Sequence, residues 1–300
     1  MAYIELKDKL QIYYEILSSQ LSHQLAVTST HDQDVRTLIF IHGAPGLVDT
    51  HMYSNFWGRF ASNKLRIIFY EQRGSGRSDD CTLDKLNISQ HVADLHEFCQ
   101  TLKIKKPILA GVSHGGYVSL AYASHYPNEV AALILCNTNA KRETDERVAA
   151  CYKSLIEYFD KTIEEAKAIS EKLRVCDANW DANWDGENYN LFIKLYSKNA
   201  YQPHEIAQCQ QHPMTWQKFM TDEFGSFDLS ADLHRITCPV LYLVGEYDWV
   251  HPPVCSERTA KLMCNAQVEM VVIKNTGDPI YRDQPQTTEK TIRQFLKFFL

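Results

Sequence analysis

Apolar and polar positions along the chain fall into two rhythms. TLIFIHG (Thr37–Gly43), LRIIFYEQRG (Leu65–Gly74), PILAGVS (Pro107–Ser113), AALILCN (Ala131–Asn137), PVLYLVGEYD (Pro239–Asp248) and VEMVVIKN (Val268–Asn275) are short runs rich in β-branched residues. Several lack in–out alternation, which is how strands buried on both faces read. Between them, ISQHVADLHEFCQTL (Ile88–Leu102) and GYVSLAYASHYP (Gly116–Pro127) carry a helical repeat, and TTEKTIRQFLKFFL (Thr287–Leu300) closes the chain in the same way. Strand and helix in alternation predict an α/β domain with a mostly parallel central sheet flanked by helices. YIELKDKLQIYYEIL (Tyr3–Leu17) alternates residue by residue and predicts an antiparallel pair of strands ahead of it.

The rhythm breaks over residues 138–237. That stretch is helical in pattern and rich in aromatic residues, and its polar passage DANWDANWDGENYN doubles an ANWD unit. Two tetrapeptides are far shorter than a structural repeat, so the doubling reads as a loop feature. The expected organisation is a core of residues 1–137 and 238–300, with residues 138–237 inserted as a helical cap, or lid.

Composition narrows the picture. The 300 residues are 45% hydrophobic and 23% charged, with a net charge of −6, and there is no basic stripe to suit a nucleic acid. The opening residues resemble neither a signal nor a transit peptide, and no apolar run approaches the ~20 residues of a membrane span. Nine scattered cysteines without a CxxC pair suit a reducing compartment, so a cytoplasmic protein with no membrane partner is expected.

The chemistry centres on GVSHGG (Gly111–Gly116), set between a predicted strand and a predicted helix. A Gly-x-Ser-x-Gly in that context holds its serine on a sharp turn at the top of the sheet, which makes Ser113 a nucleophile. IFIHGAPG (Ile39–Gly46) ends another strand in a Gly/Pro-shaped loop that exposes backbone N–H groups. The N–H groups of Ala44 and His114 are the expected oxyanion hole. His42 reads as a packing residue of that loop. RGSGRS (Arg73–Ser78) lacks the third glycine and following helix of a dinucleotide site.

HGAPG, EQRGSGRSD (Glu71–Asp79), GVSHGG and GEYDWVHPP (Gly245–Pro253) occur in the order and spacing of the α/β-hydrolase superfamily, and the chain looks most like its proline iminopeptidase-like branch. Ala44 stands where that branch has the second glycine of HGGPG. The resemblance implies a Ser–Asp–His triad in chain order, an acyl-enzyme on Ser113, and an aminopeptidase acting on a small-molecule or short-peptide substrate. It implies Asp248 as the acid, with Glu246 an earlier rival in the turn. It puts the base after Gly277, where Asp278 stands in place of the histidine.

An aspartate is a shorter and weaker base than imidazole, so impaired chemistry with intact binding is expected. Four accounts of Asp278 are open: a substitution made to trap substrate or test the base, natural loss in a pseudoenzyme, a base acting through water, or another histidine reaching in. His251, three residues after Asp248, is the best placed for the last. An esterase or carbon–carbon bond hydrolase with the same triad, and a non-catalytic binding protein, are the alternatives to an aminopeptidase. Trp180, Trp184, Tyr189, Phe192, Tyr196, Trp216 and Phe219 are candidates to line a substrate cavity, and Glu187 to bind a substrate amine. His204, Cys209 and His212 cannot gather around one ion if helical, so neither a metal nor a cofactor is expected.

Overall fold

The computed structural model describes residues 2–18, 35–173, 186–223 and 226–300. Trp180, Trp184 and the ANWD doubling lie outside the described residues, and the side chains of Glu187 and Tyr189 are likewise not described.

Eight strands form one sheet: β1 (Ala2–Glu5), β2 (Gln11–Leu17), β3 (Arg36–Ile41), β4 (Leu65–Tyr70), β5 (Ile108–Val112), β6 (Ala132–Cys136), β7 (Val240–Gly245) and β8 (Val268–Ile273). Their order is β1-β2-β4-β3-β5-β6-β7-β8. The first two strands pair antiparallel with each other and β2 with β4, and every later pairing is parallel. Strands β3 to β7 are continuous apolar runs because both faces are covered. Phe40, Phe69, Ala110, Ile134 and Leu243 pack on one side, while Ile39, Ile68, Leu109, Leu133 and Tyr242 pack on the other.

The helices of the first half are α1 (His51–Trp57), α2 (Ile88–Thr101) and α3 (His114–His125). Asn87 starts α2 by accepting the Gln90 N–H. The segment between β6 and β7 contains α4 (Thr144–Lys153), α5 (Ile163–Lys172), α6 (Gly186–Lys194), α7 (Pro203–Ile206) and α8 (Pro213–Lys218). Single π-turns continue α4 at Ser154–Tyr158 and α8 at Phe219–Glu223. Thr162 and Glu165 close a reciprocal capping box on α5. Then come α9 (Pro253–Leu262), α10 (Ile280–Asp283) and α11 (Pro285–Leu296).

The inserted helices share the first of the two cores. Cys151, Leu155, Phe192, Ile206 and Phe219 pack in one cluster with Val112, Tyr117, Trp249 and Tyr281. They therefore lie over the carboxyl ends of β5 and β7, where open α/β sheets hold their ligands. Among the described residues, no helix is long and apolar enough to cross a membrane.

Candidate active site

Ser113 sits between the end of β5 and the start of α3 with φ 51° and ψ −119°. This is a conformation that side chains other than glycine's adopt rarely. Its neighbours explain the small residues around it. A methyl at Gly111 would lie 2.3 Å from the Gly115 carbonyl oxygen, and one at Gly115 would lie 2.1 Å from that of Ile41. Among the described residues, the Ser113 hydroxyl has no hydrogen-bond partner, and it lines a cavity.

The HGAPG loop touches this turn directly: a methyl on Gly43 would come within 3.0 Å of Ser113 Cβ. Ala44 next to it takes φ 42°, in the left-handed region where the related branch carries glycine. Its carbonyl accepts from Leu47 and Val48, while its own N–H finds no partner among the described residues. The N–H of His114 begins α3, at the positive end of a twelve-residue helix. His42 is fully buried and works as loop scaffolding, with Nδ1 2.8 Å from the Gly43 carbonyl and Nε2 3.4 Å from the Gln72 N–H. The RGSGRS loop is scaffolding too, locked by buried Arg73 on Asp94 and by Arg77 on Glu71.

Asp248 follows β7, buried. Its Oδ1 accepts the N–H groups of Val250 (2.9 Å) and His251 (2.8 Å), and its Oδ2 accepts Asn137 Nδ2 at 2.8 Å. Glu246 turns outward to Lys274 and the Asn275 N–H, so it does not compete for the site. Asp278 follows β8, with its N–H on the Tyr196 carbonyl at 2.9 Å. Gly277 before it leaves no space, since a methyl there would meet that same carbonyl oxygen at 1.9 Å. The Asp278 carboxylate shares the cavity wall with Ser113, but no hydrogen bond connects it to Ser113 or Asp248 among the described residues.

Burial dominates the electrostatics. It raises the Asp248 carboxyl to about 6. Burial, reinforced by Asp248 and Asp283, holds Asp278 well above the usual carboxylate range. His251 is pushed down to about 3 by burial and then by Arg147, so its imidazole is neutral. Its Nε2 is 2.7 Å from the Tyr117 hydroxyl, and its Nδ1 is 4.0 Å from Asp248 Oδ2. His251 is not part of the cavity wall. Tyr117 on α3 occupies Nε2, and no hydrogen bond connects His251 to Ser113 among the described residues.

The cavity encloses about 610 Å³ including its mouth. Leu47, Val48 and Tyr53 line one side, and Phe192, Tyr196 and Trp216 come from the inserted segment. Phe219 instead packs edge-on against His114, with ring centroids 5.0 Å apart. His212 is committed to Asp80 and to the Gly76 carbonyl (2.7 Å), apart from His204 and Cys209. Asn137 and Arg147 were not foreseen. Asn137 had a usable signal, as the residue after a strand beside the one that leads to Ser113; Arg147, on α4, had none.

The alpha/beta hydrolase fold family model matches residues 36–285. The chain is 26% identical over 309 aligned positions to the human protein "Monoacylglycerol lipase ABHD6", covering 96% of this chain and 86% of that one. It is 23% identical over 296 positions to "Proline iminopeptidase PfmaB" of Pestalotiopsis fici, covering 95% and 99%. Among solved structures, a proline iminopeptidase of Mycobacterium smegmatis superposes with a TM-score of 0.74 at 19% identity, covering 99% and 97%. An esterase of Exiguobacterium antarcticum superposes with a TM-score of 0.65 at 19% identity, covering 98% of both chains. With the motif order, the sheet and a family match across most of its length, this chain belongs to the alpha/beta hydrolase fold family.

Proposed function

We propose that the chain is a serine hydrolase of esters with an apolar acyl group, with Ser113 as the attacking residue and turnover held low by Asp278. The observation that carries this reading is the shared wall: a strained, unpartnered serine hydroxyl opens onto a cavity that is otherwise mostly aliphatic and aromatic. Ser113 Oγ adds to the acyl carbonyl, and the oxyanion that forms faces the N–H groups of Ala44 and His114. Collapse expels the alcohol, and water then clears the acyl group from the serine.

Attack by Oγ and attack by water each need a proton acceptor, and expulsion of the alcohol needs that proton handed on to the leaving oxygen. Imidazole bridges serine and acid through two nitrogens, whereas a carboxyl group is shorter, and burial favours the protonated form of Asp278, which cannot take the serine proton. Asp278 reaches the cavity without bonding Ser113, so the site retains binding and oxyanion stabilisation and lacks an efficient base. The acyl preference follows from the wall. Asp278 is the one carboxyl group among its described residues, so recognition of a substrate ammonium by the inserted helices has no described partner there. The relative named as a lipase is consistent with that preference, and the one named as a proline iminopeptidase is the reason the test includes aminoacyl amides.

Hydrolysis of a panel of acyl esters and aminoacyl amides, assayed in EDTA, tests the reading. Asp278→His should raise ester turnover by ~10²–10⁴-fold, the usual worth of a positioned base. Ser113→Ala in that background should remove the gain. Unchanged turnover in Asp278→His would leave a binding protein, and a gain confined to aminoacyl amides would make it an aminopeptidase.

A further inference from the structure

Asp248, His251 and Asp278 each offer one ligand atom, and these atoms lie within 4.8 Å of one another. All three side chains are at least nine-tenths buried. Two carboxylates in so small a dry space repel each other, a repulsion that a shared proton or a bound cation relieves. The independent observation is His251 Nδ1. It is buried, has no hydrogen-bond partner among the described residues, and stands 4.0 Å from Asp248 Oδ2, too far for a hydrogen bond. A buried ring nitrogen left unpaired costs stability, and here its lone pair can be directed at the two carboxylates.

We propose that Asp248, His251 and Asp278 bind one divalent transition-metal ion of the zinc class. Nitrogen plus two carboxylate oxygens is a donor set that such ions accept, with a fourth position left for water. Asp278 also lines the cavity, so that fourth position opens toward Ser113. Ligand atoms around tetrahedral zinc sit about 3.4 Å apart, so the widest pair closes by roughly 1.4 Å on binding.

The surroundings are those of a supported site. Tyr117 holds the far ring nitrogen at 2.7 Å and fixes the imidazole plane. Asn137 and the N–H groups of Val250 and His251 orient the Asp248 carboxylate. Arg147, fully buried nearby, acts on both Asp248 and His251, and its charge opposes the ion, so the two carboxylates must outweigh it. The triad arrangement implied by family resemblance does not call for an ion here. Asp278 in place of histidine is what adds the second carboxylate.

The test is calorimetric titration of zinc alone into the full chain after dialysis against EDTA, with cobalt as a spectroscopic stand-in. Saturable uptake of one zinc per chain is expected, together with visible ligand-field absorption from the cobalt form. Asp278→Asn should abolish the uptake. Tyr117→Phe, which removes no ligand, should weaken it by ~10-fold or more, and thermal unfolding of both variants checks that they fold. Absence of saturable uptake, or uptake that Asp278→Asn leaves intact, overturns the proposal. The ester assay is run in EDTA, so failure of the metal site and failure of the serine reading are distinguishable.

Discussion

At the residue scale, the site is defined by backbone that its side chains do not prefer. Ser113 at φ 51° and Ala44 at φ 42° both occupy conformations that favour glycine. They are held there by contacts such as those of Gly115 beneath the Ile41 carbonyl. Non-glycine residues in such regions cost about 1–3 kcal/mol each. Ser113→Gly relieves that strain, offset in part by the extra entropy glycine has when unfolded. The variant should be more stable in urea by on the order of 1 kcal/mol while losing all esterase activity. A midpoint equal to or below that of the parent would show that the serine turn is not strained.

At the scale of elements, the turn that carries Asp278 is stitched to the inserted helices through α10. Asp283 accepts the Gly277 N–H, the Asn199 N–H and side-chain amide, and the Tyr158 hydroxyl. Arg282 forms a two-pronged pair with Glu205 at 3.0 and 3.1 Å. Hydrogen bonds to a charged group contribute about 1.5–3 kcal/mol each before losses are shared. Asp283→Ala should therefore lower stability by ~2–4 kcal/mol. It should also weaken ester binding, read as a higher KM, because the cavity wall at Asp278 and Tyr281 loses its brace. An unchanged KM would mean that the turn is held by Gly277 packing alone.

These elements also show what sequence conveys. The parallel strands were legible because double-sided burial demands unbroken apolar runs, and the sharp turn at Ser113 because glycines two residues to either side mark a tight strand-to-helix junction. The inserted segment was legible only as helical. Its α7 and α8 span four and six residues, too short for periodicity to define, and its π-turns shift the phase of the faces. The direction of His251 was not legible either. Spacing put it beside Asp248, and the Tyr117 hydroxyl on a distant helix decided where its ring points.

At the scale of the whole molecule, burial of titratable groups ties stability to pH. His91 is buried beside His114, with ring centroids 5.2 Å apart. Burial, then the charges of His114 and Arg73, holds it well below the ordinary histidine range. The folded chain keeps that ring neutral while the unfolded chain protonates it below about pH 6.5. The unfolded state then binds the extra proton, so stability falls as pH drops through that value. His91→Phe should flatten the fall between pH 6.5 and 5 by up to ~1.4 kcal/mol per pH unit, measured by urea unfolding at several pH values. Parallel curves for parent and variant would place the acid sensitivity elsewhere.

The seat of α8 has a further consequence. Methyl groups on Gly46 and Gly74 would press within 2.7 Å of Thr215 and Trp216, and His212 is tied to the Gly46 carbonyl at 2.7 Å. Bodies in such close contact travel together rather than slide. A shift of α8 would therefore be passed to the loop that carries Ala44, whose N–H belongs to the proposed oxyanion hole. On the proposed reading, a ligand's contact with Trp216 and the setting of the Ala44 N–H are mechanically linked.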